Sequence, residues 1–454
     1  MTEEKFTVRH THSVRRPTGQ PIAAIVRPRT QLTADQERPM NASTPTAVSP
    51  RRIPAQAQPD APHTSPPSPE VPGSRLRRQG SSPRTVWNAT WPALAIYGAS
   101  AVLHLVLLAV MSPADGPGVH AKLLSWDGSL YRDIAQDGYP DSFAHTPSGE
   151  LTGNNLAFFP AYPALIRIVH TLTGLGYDTA AIVAAHLSMI AALVAVHHLL
   201  CRTHDRRTAT VAAVLLACAQ PMALAFFMAY SESLFLALAA ATLLAAHREA
   251  WLTAGFLALL AGLTRPAAAA VALALGVAVL LHLVRERRLL WRPITAVALA
   301  CAGTPAYLAW VGQRLHQPNA WFAIQQAGWD TRWDNGRAFW DFLGDTFTDA
   351  DGWVPVSTAV LLLALIVATA LAWRRGTWPP LLVYGTGILV LTLAQSNYYH
   401  CKLRLVVPAL VFLIPLARAL GRTHARTAAI VLSAASLFGC WYGAYMLTTW
   451  HYAI

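Results

Sequence analysis

Apolar runs of about 20 residues recur along this chain from residue 91 onward, parted by short stretches rich in arginine. A helix rising about 1.5 Å per residue needs roughly that length to cross the hydrocarbon core of a bilayer. Only 13% of the residues are charged and 54% are hydrophobic, whereas soluble domains carry about 25% charged residues. A large soluble core would not need so many apolar runs separated by arginine clusters. The expected fold is all-α, a polytopic helical membrane protein.

Eleven spans are predicted, at 91–111, 178–200, 208–227, 231–246, 251–264, 266–284, 293–312, 354–373, 378–395, 404–420 and 427–449. The segment 251–264 is short and abuts the next span at Pro266, so this pair is expected as a helical hairpin or as broken helices whose backbone is satisfied within the protein. Cytoplasmic loops carry an excess of Lys and Arg. With the N-terminus in the cytoplasm, the inner loops collect 13 arginines against Asp205, Glu249 and Glu286, and the outer side collects 9 basic and 14 acidic residues. This alternation requires that "LAFFPAYPALIRIVHTLTG", residues 156–174, stay on the outer side as a surface or re-entrant helix. Pro160, Pro163 and Arg167 make it a poor spanning helix in any case. Two outer loops are long, at about 112–177 and 313–353, and hold most of the polar chemistry.

Residues 1–85 differ from the rest. They hold 14 of the 31 prolines and 13 basic against 6 acidic residues. Such a segment buries too little apolar surface to offset its chain entropy, so it is expected to be a disordered basic tail on the cytoplasmic side, either touching anionic lipid or simply solvated. It has no signal-peptide core. The domain boundary is therefore drawn at 86, with a membrane domain over 86–454. Cys201, Cys218, Cys301, Cys401 and Cys440 form no CxxC pair and read as packing residues, with no disulfide framework and no zinc site. No phosphate-cradling glycine loop, HExxH or GxSxG is present, and the basic character follows from membrane topology, so nucleic acid is excluded as a partner.

Five stretches carry polar groups at the outer ends of spans. In "SWDGSLYRDIAQDGYP", Trp126 and Asp127 sit just past the first span. They fit either an interfacial aromatic belt with solvated acids or a general base, since a carboxylate beside apolar surface has a raised affinity for protons. In "AFFPAYPALIR", Tyr162 and Arg167 lie on a stiff amphipathic segment that suits a groove wall for a lipid chain, with Arg167 toward an anionic head group, or a plain interfacial helix. In "AYSESLF", Glu232 stands at a junction of apolar spans, where a carboxylate is costly unless paired or wet, or where it merely supports an N-cap at Ser231. In "LTRPAAA", Arg265 needs an anion, either Glu232 or a ligand phosphate. In "QSNYYHCKLRLVVPALVF", His400, Lys402 and Arg404 oppose the positive-inside rule, which suggests binding of a lipid phosphate or compensation of the acidic outer loops.

Taken in order, "WDGSLYRDIAQDGY", "AFFPAYPALIR", "YSESLF" and "LTRP" resemble the motifs of PIG-V-type (glycosylphosphatidylinositol mannosyltransferase 2-like) membrane mannosyltransferases, members of the GT-C superfold. The resemblance spans roughly residues 120–270 well and the later spans loosely. It implies a polyprenyl or dolichyl phosphate-linked sugar, usually mannose, as donor, and an inverting transfer on the non-cytoplasmic face. The Trp-Asp pair of the first outer loop falls on Trp126 and Asp127, with Asp127 as base or orienting group. Arg265, His400, Lys402 and Arg404 are the candidates for the leaving phosphate; of these four only Arg265 falls within the resembling motifs, and the other three rest on charge placement alone. No cofactor beyond the lipid-linked sugar is implied, and a divalent metal stays open. The acceptor is a glycolipid, lipoglycan or glycoprotein. The Ala/Arg-rich composition favours a bacterial plasma membrane, with the endoplasmic reticulum the alternative for a eukaryotic source. A transporter or flippase of lipid-linked glycan, and a non-catalytic subunit, are the competing functions; a transporter would more often show inverted repeats and midplane charges, and none is visible here.

Overall fold

Apolar runs of Ala, Leu and Val favour helix, and their lengths and prolines decide which become unbroken rods. The computed structural model describes residues 83–349, 352–450 and 452, so the tail expected over residues 1–85 lies outside the described residues but for 83–85. Among them, five helices are long and apolar enough to cross a membrane. They are Thr90–Met111 (the main part of helix Pro83–Met111), Tyr177–Thr203, Ala268–Glu286, Trp353–Arg374 and Ala425–Thr448. Trp291–Ala300 and Gly303–Arg314 are apolar enough together but meet at a 41° bend, as in a broken span or a re-entrant loop. Shorter apolar helices follow the predicted runs at Glu232–His247, Trp251–Gly262 and Pro379–Leu393. The chain is an integral, multi-pass helical membrane protein.

Besides the bent pair within 293–312, two predicted spans are not continuous helices. The run at 208–227 divides into a helix Arg206–Val214, a π turn Leu215–Ala219 and a 3₁₀ turn Ala223–Phe226, with Pro221 at the break. The run at 404–420 divides into Tyr399–Val406 and Leu413–Gly421, with Pro408 between them. Proline lacks the donor that would continue the helix and its ring clashes with the preceding turn. The freed carbonyls are met from within the protein, as a lipid environment demands. Gln220 Nε2 donates to Leu216 O and Val407 O, and Tyr384 Oη donates to Pro408 O.

Helix Ala161–Thr173 accounts for most of the segment placed at the membrane surface. Tyr162, Ile166 and Val169 are buried on one face, and Ile168 and Leu172 project from the other. Gly174, at φ 72°, ends it in the left-handed conformation with its N–H on His170 O. The first long loop also contains helix Asp127–Asp137 and a small antiparallel hairpin, Ala144–His145 with Leu151–Thr152. The second contains helices Ala320–Trp329 and Arg337–Asp349. Trp321 Nε1 and Gln325 Nε2 both donate to Ala157 O, so the two long loops pack together at one end of the bundle. Their shared core holds Tyr131, Phe158, Phe159, Tyr162, Tyr307 and Trp321.

Small residues set the closest helix contacts. A Cβ on Gly255 would lie 2.6 Å from Ala296 Cα, and one on Gly303 would lie 2.3 Å from Leu259 O. These contacts hold helix Trp251–Gly262 against the bent pair and fix where the chain emerges toward Arg265. Gly303→Val is expected to cost about 1–3 kcal/mol through overpacking, read as a lower melting temperature in detergent. Gly276→Val, where the added Cβ would meet nothing within 4 Å, should leave the melting temperature nearly unchanged; equal shifts in both would refute this packing.

Candidate active site

Four charged side chains, distant in sequence, meet at the end of the bundle that carries the long loops. Arg404 Nη1 donates to Asp127 Oδ2 at 2.6 Å. Arg404 Nε lies 3.6 Å from Glu232 Oε1, and Arg265 Nη1 lies 2.7 Å from the same oxygen. The order Asp127–Arg404–Glu232–Arg265 alternates acid and base, and the formal charges cancel. The Glu232, Arg404 and Arg265 side chains are 3%, 9% and 14% exposed, and that of Asp127 is 20% exposed. Removing such ions from water costs several kcal/mol each, and only close opposite charges offset it.

Each member occupies a helix end or a turn. Asp127 and Glu232 open helices Asp127–Asp137 and Glu232–His247, where a carboxylate meets the positive end of the helix dipole. Arg265 lies between helices Trp251–Gly262 and Ala268–Glu286, and the following Pro266 disfavours helix at its position. Arg404 comes from helix Tyr399–Val406 and stacks over the Tyr230 ring at 4.8 Å. Two guanidinium nitrogens, Arg404 Nε and Arg265 Nη1, are buried beside Glu232 without an aligned hydrogen bond. Donors of this kind ask for an acceptor, and an anion entering beside Glu232 would meet both.

Trp126 precedes this cluster in an unusual conformation, with φ 58° and ψ −123°. A bulky residue there costs on the order of 1–3 kcal/mol. The turn is held from several sides. Ala229 N donates to Leu123 O at 2.9 Å, Tyr230 Oη donates to Ser125 O at 3.1 Å, and Ser129 Oγ donates to Trp126 O at 2.9 Å. The Trp126 ring itself is 45% exposed beside Asp127. What the structure sets against Asp127 is a guanidinium, where the sequence reading expected bare apolar surface.

The remaining predicted residues stand apart from the cluster. Arg167 donates from Nε and Nη2 to Ala135 O at 2.9 and 2.7 Å, closing the end of helix Asp127–Asp137. It also lines a groove of about 540 Å³ with Ile134, Tyr139, Pro163, Ile168 and Leu172. Tyr162 is buried and donates to Ala181 O, anchoring its helix to Tyr177–Thr203. Lys402 Nζ donates to Thr392 O, Gln395 O and Asn397 Oδ1 at 3.1, 2.8 and 2.8 Å, so all three of its protons are engaged within the protein. Burial lowers its pKa to about 8, and Asp334 opposes that shift. His400 stacks between Tyr398 and Tyr452, and burial followed by the charge of Arg404 lowers its pKa to about 4, leaving it neutral at pH 7. Of the three cation-capable groups predicted there, Arg404 alone touches Asp127.

Sequence reasoning passed over Tyr230, and the N-cap that it offered at Ser231 is not made by the side chain. Ser231 Oγ lies 2.8 Å from Tyr131 Oη and makes no cap to its own helix. Both residues lie within "AYSESLF", but their partners come from other parts of the chain. The second long loop is fastened to the chain that precedes the Arg404 helix and to the first loop. Trp333 bridges to Gln395, Ser396 Oγ donates to Asp330 O, and the Trp329 ring meets Phe158 edge-on at 5.3 Å.

No protein-family model matches this chain, and no curated protein matches it. Among solved structures it is similar to ArnT from Cupriavidus metallidurans bound to undecaprenyl phosphate, with TM-score 0.46 and 17% identity over 75% of this chain and 62% of that one. The apo state of the same protein gives TM-score 0.47 and 16% identity over 80% of this chain and 76% of that one. The apo oligosaccharyltransferase of Archaeoglobus fulgidus gives TM-score 0.45 and 12% identity over 79% of this chain and 56% of that one. The chain thus spans less than two thirds of the first and third of these.

Glu232→Gln would leave two buried guanidiniums sharing one carboxylate. The expected loss is about 3–5 kcal/mol, against under about 1 kcal/mol for Arg132→Ala, whose partners Asp133 and Asp178 are 39% and 47% exposed. Thermal unfolding of the two variants in one detergent compares them, and similar losses would show that the cluster is not a buried network.

Proposed function

We propose that this protein is a membrane glycosyltransferase of GT-C type, close in kind to the PIG-V-type mannosyltransferases that its motifs resemble. It transfers a sugar, mannose first, from a polyprenyl phosphate-linked donor to an acceptor hydroxyl on the non-cytoplasmic face. The observation that carries this reading is the contact of Asp127 with Arg404, backed by Glu232 and Arg265. It puts a carboxylate and two underused guanidiniums side by side where a membrane-held donor can present its head.

In the proposed step the acceptor oxygen attacks the anomeric carbon from the face opposite the phosphate. Its proton passes to Asp127, through Oδ1, since Oδ2 is engaged by Arg404. The bond between the anomeric carbon and the phosphate oxygen breaks, and its electron pair leaves with the lipid phosphate. The new negative charge is taken up by Arg404 and Arg265, whose unaligned Nε and Nη1 donors are already buried there. Inversion at the anomeric carbon follows from a single displacement. Asp127 then returns the proton to water. Trp126, exposed beside the carboxylate, offers a face for the sugar. The shared carboxylate at Glu232 neutralises both guanidiniums, of which Arg404 alone reaches Asp127. Lys402 and His400 take no part in this scheme, and Arg167 and Tyr162 shape the first loop.

The test is transfer of radiolabelled mannose from synthetic polyprenyl phosphate mannose to membrane acceptors. Asp127→Ala and Asp127→Asn should each lose about 10²–10⁴-fold in rate at equal expression, and Arg404→Lys should lose much of it, because a single ammonium cannot face Asp127 and Glu232 at once as the guanidinium does. Survival of transfer in both Asp127 variants would remove that residue from the chemistry. Transfer from a glucose, galactose or arabinose donor in place of mannose would keep the reaction and change the sugar.

A further inference from the structure

Tyr230 lies between the two groups on which the proposed chemistry turns. Its ring supports Arg404, with the guanidinium carbon 4.8 Å from the ring centroid. Its hydroxyl donates to Ser125 O at 3.1 Å, one residue before the strained Trp126 and two before Asp127. The chain on either side of it is also fastened to the same loop. Ala229 N donates to Leu123 O, and Ser231 Oγ pairs with Tyr131 Oη on helix Asp127–Asp137. Gly128 packs directly on Ala229, whose Cβ would be 3.4 Å from an added methyl. Tyr230 is fully buried, so its ring and hydroxyl cannot swing away without unpacking this seam.

We infer that Tyr230 is a positioning residue that sets Asp127 and Arg404 in register through two separable contacts, an inference that rests on the transferase reading for its consequence in catalysis. The hydroxyl holds the Trp126 turn and so aims the carboxylate. The ring holds the guanidinium flat against one face and so keeps its donors in line for Asp127 and for a lipid phosphate. A residue serving packing alone would not divide its effects in this way. Tyr384 provides that contrast: it is equally buried, and its hydroxyl donates to Pro408 O at 3.0 Å.

The division predicts different kinetics for two substitutions. Tyr230→Phe keeps the ring and removes the hydroxyl; kcat should fall about fivefold, the worth of one hydrogen bond, with the donor KM unchanged. Tyr230→Leu removes both; kcat should fall similarly and the donor KM should rise about tenfold, as the cation–π contact is lost. Tyr384→Phe should alter neither constant per folded molecule. Two measurements need no turnover. Hydrogen exchange of the 125–129 amides should quicken in Tyr230→Phe and not in Tyr384→Phe. Affinity for polyprenyl phosphate should weaken in Tyr230→Leu and not in Tyr230→Phe. Equal kcat and KM changes in the two Tyr230 variants, or unchanged exchange at 125–129, would overturn the inference. If the wild type transfers no sugar, the transferase reading falls, while exchange and lipid-phosphate affinity still decide the role of Tyr230. Should Tyr230→Leu fail to fold, Tyr230→Trp, with a ring and no hydroxyl, must match Tyr230→Phe in KM and in exchange.

Discussion

The ion pair between Arg404 and Asp127 is the contact around which the loop end of this protein is organised. A guanidinium buried at the end of a membrane bundle needs an anion within hydrogen-bond reach, and only Asp127 gives it an aligned one among the described carboxylates. Asp127 in turn can reach Arg404 only if the first long loop folds back over the bundle. Glu232 and Arg265 extend the same logic. Each neutralises a neighbour that would otherwise be too costly to bury. Four segments of chain are thereby drawn to one point, and the site emerges from charge compensation before any ligand is considered.

What holds the loops there is mostly backbone accepting from side chains. Arg167 closes the end of the helix that begins with Asp127, and Tyr307 Oη donates to both Leu156 O and Phe158 O. Lys402 closes the turn before the helix that bears Arg404. None of these groups touches Asp127, yet each removes a way for it or for Arg404 to drift. Between the short helices of these loops, such contacts satisfy the backbone groups that no helix or ladder pairs. The cations that look available for ligands by sequence are in good part consumed by this task.

That division explains what was legible in the sequence. The helical, multi-pass architecture follows from run length, because a bilayer imposes a single requirement on every span. The break at Pro408 was harder to place, since Gln220 and Tyr384 satisfy its carbonyls from other segments of the chain. Asp127, Glu232, Arg265 and Arg404 each stood out as charges that are costly beside apolar spans. Their pairing did not, because Arg404 lies 277 residues from Asp127 and no local pattern encodes that distance. Lys402 and His400 carried the same signal as Arg404. Only packing separates them: one ends among carbonyl oxygens and the other within a stack of rings. The hydroxyl of Tyr230 left no trace in periodicity or charge at all.

The strained turn at Trp126 then has a physical sense. At φ 58° Trp126 stays 45% exposed beside the carboxylate. The cost, on the order of 1–3 kcal/mol, is offset by contacts from several sides: Ala229 to Leu123, Tyr230 to Ser125, and Ser129 to Trp126 itself. A turn held from that many sides is set before any substrate arrives. In the proposed reaction, a carboxylate in such a turn, already hydrogen-bonded to Arg404, needs little reorganisation when charge develops on a leaving phosphate. The turn is therefore set by the fold, and the second long loop is likewise fastened, at Gln395 and Ser396, and packed on Phe158.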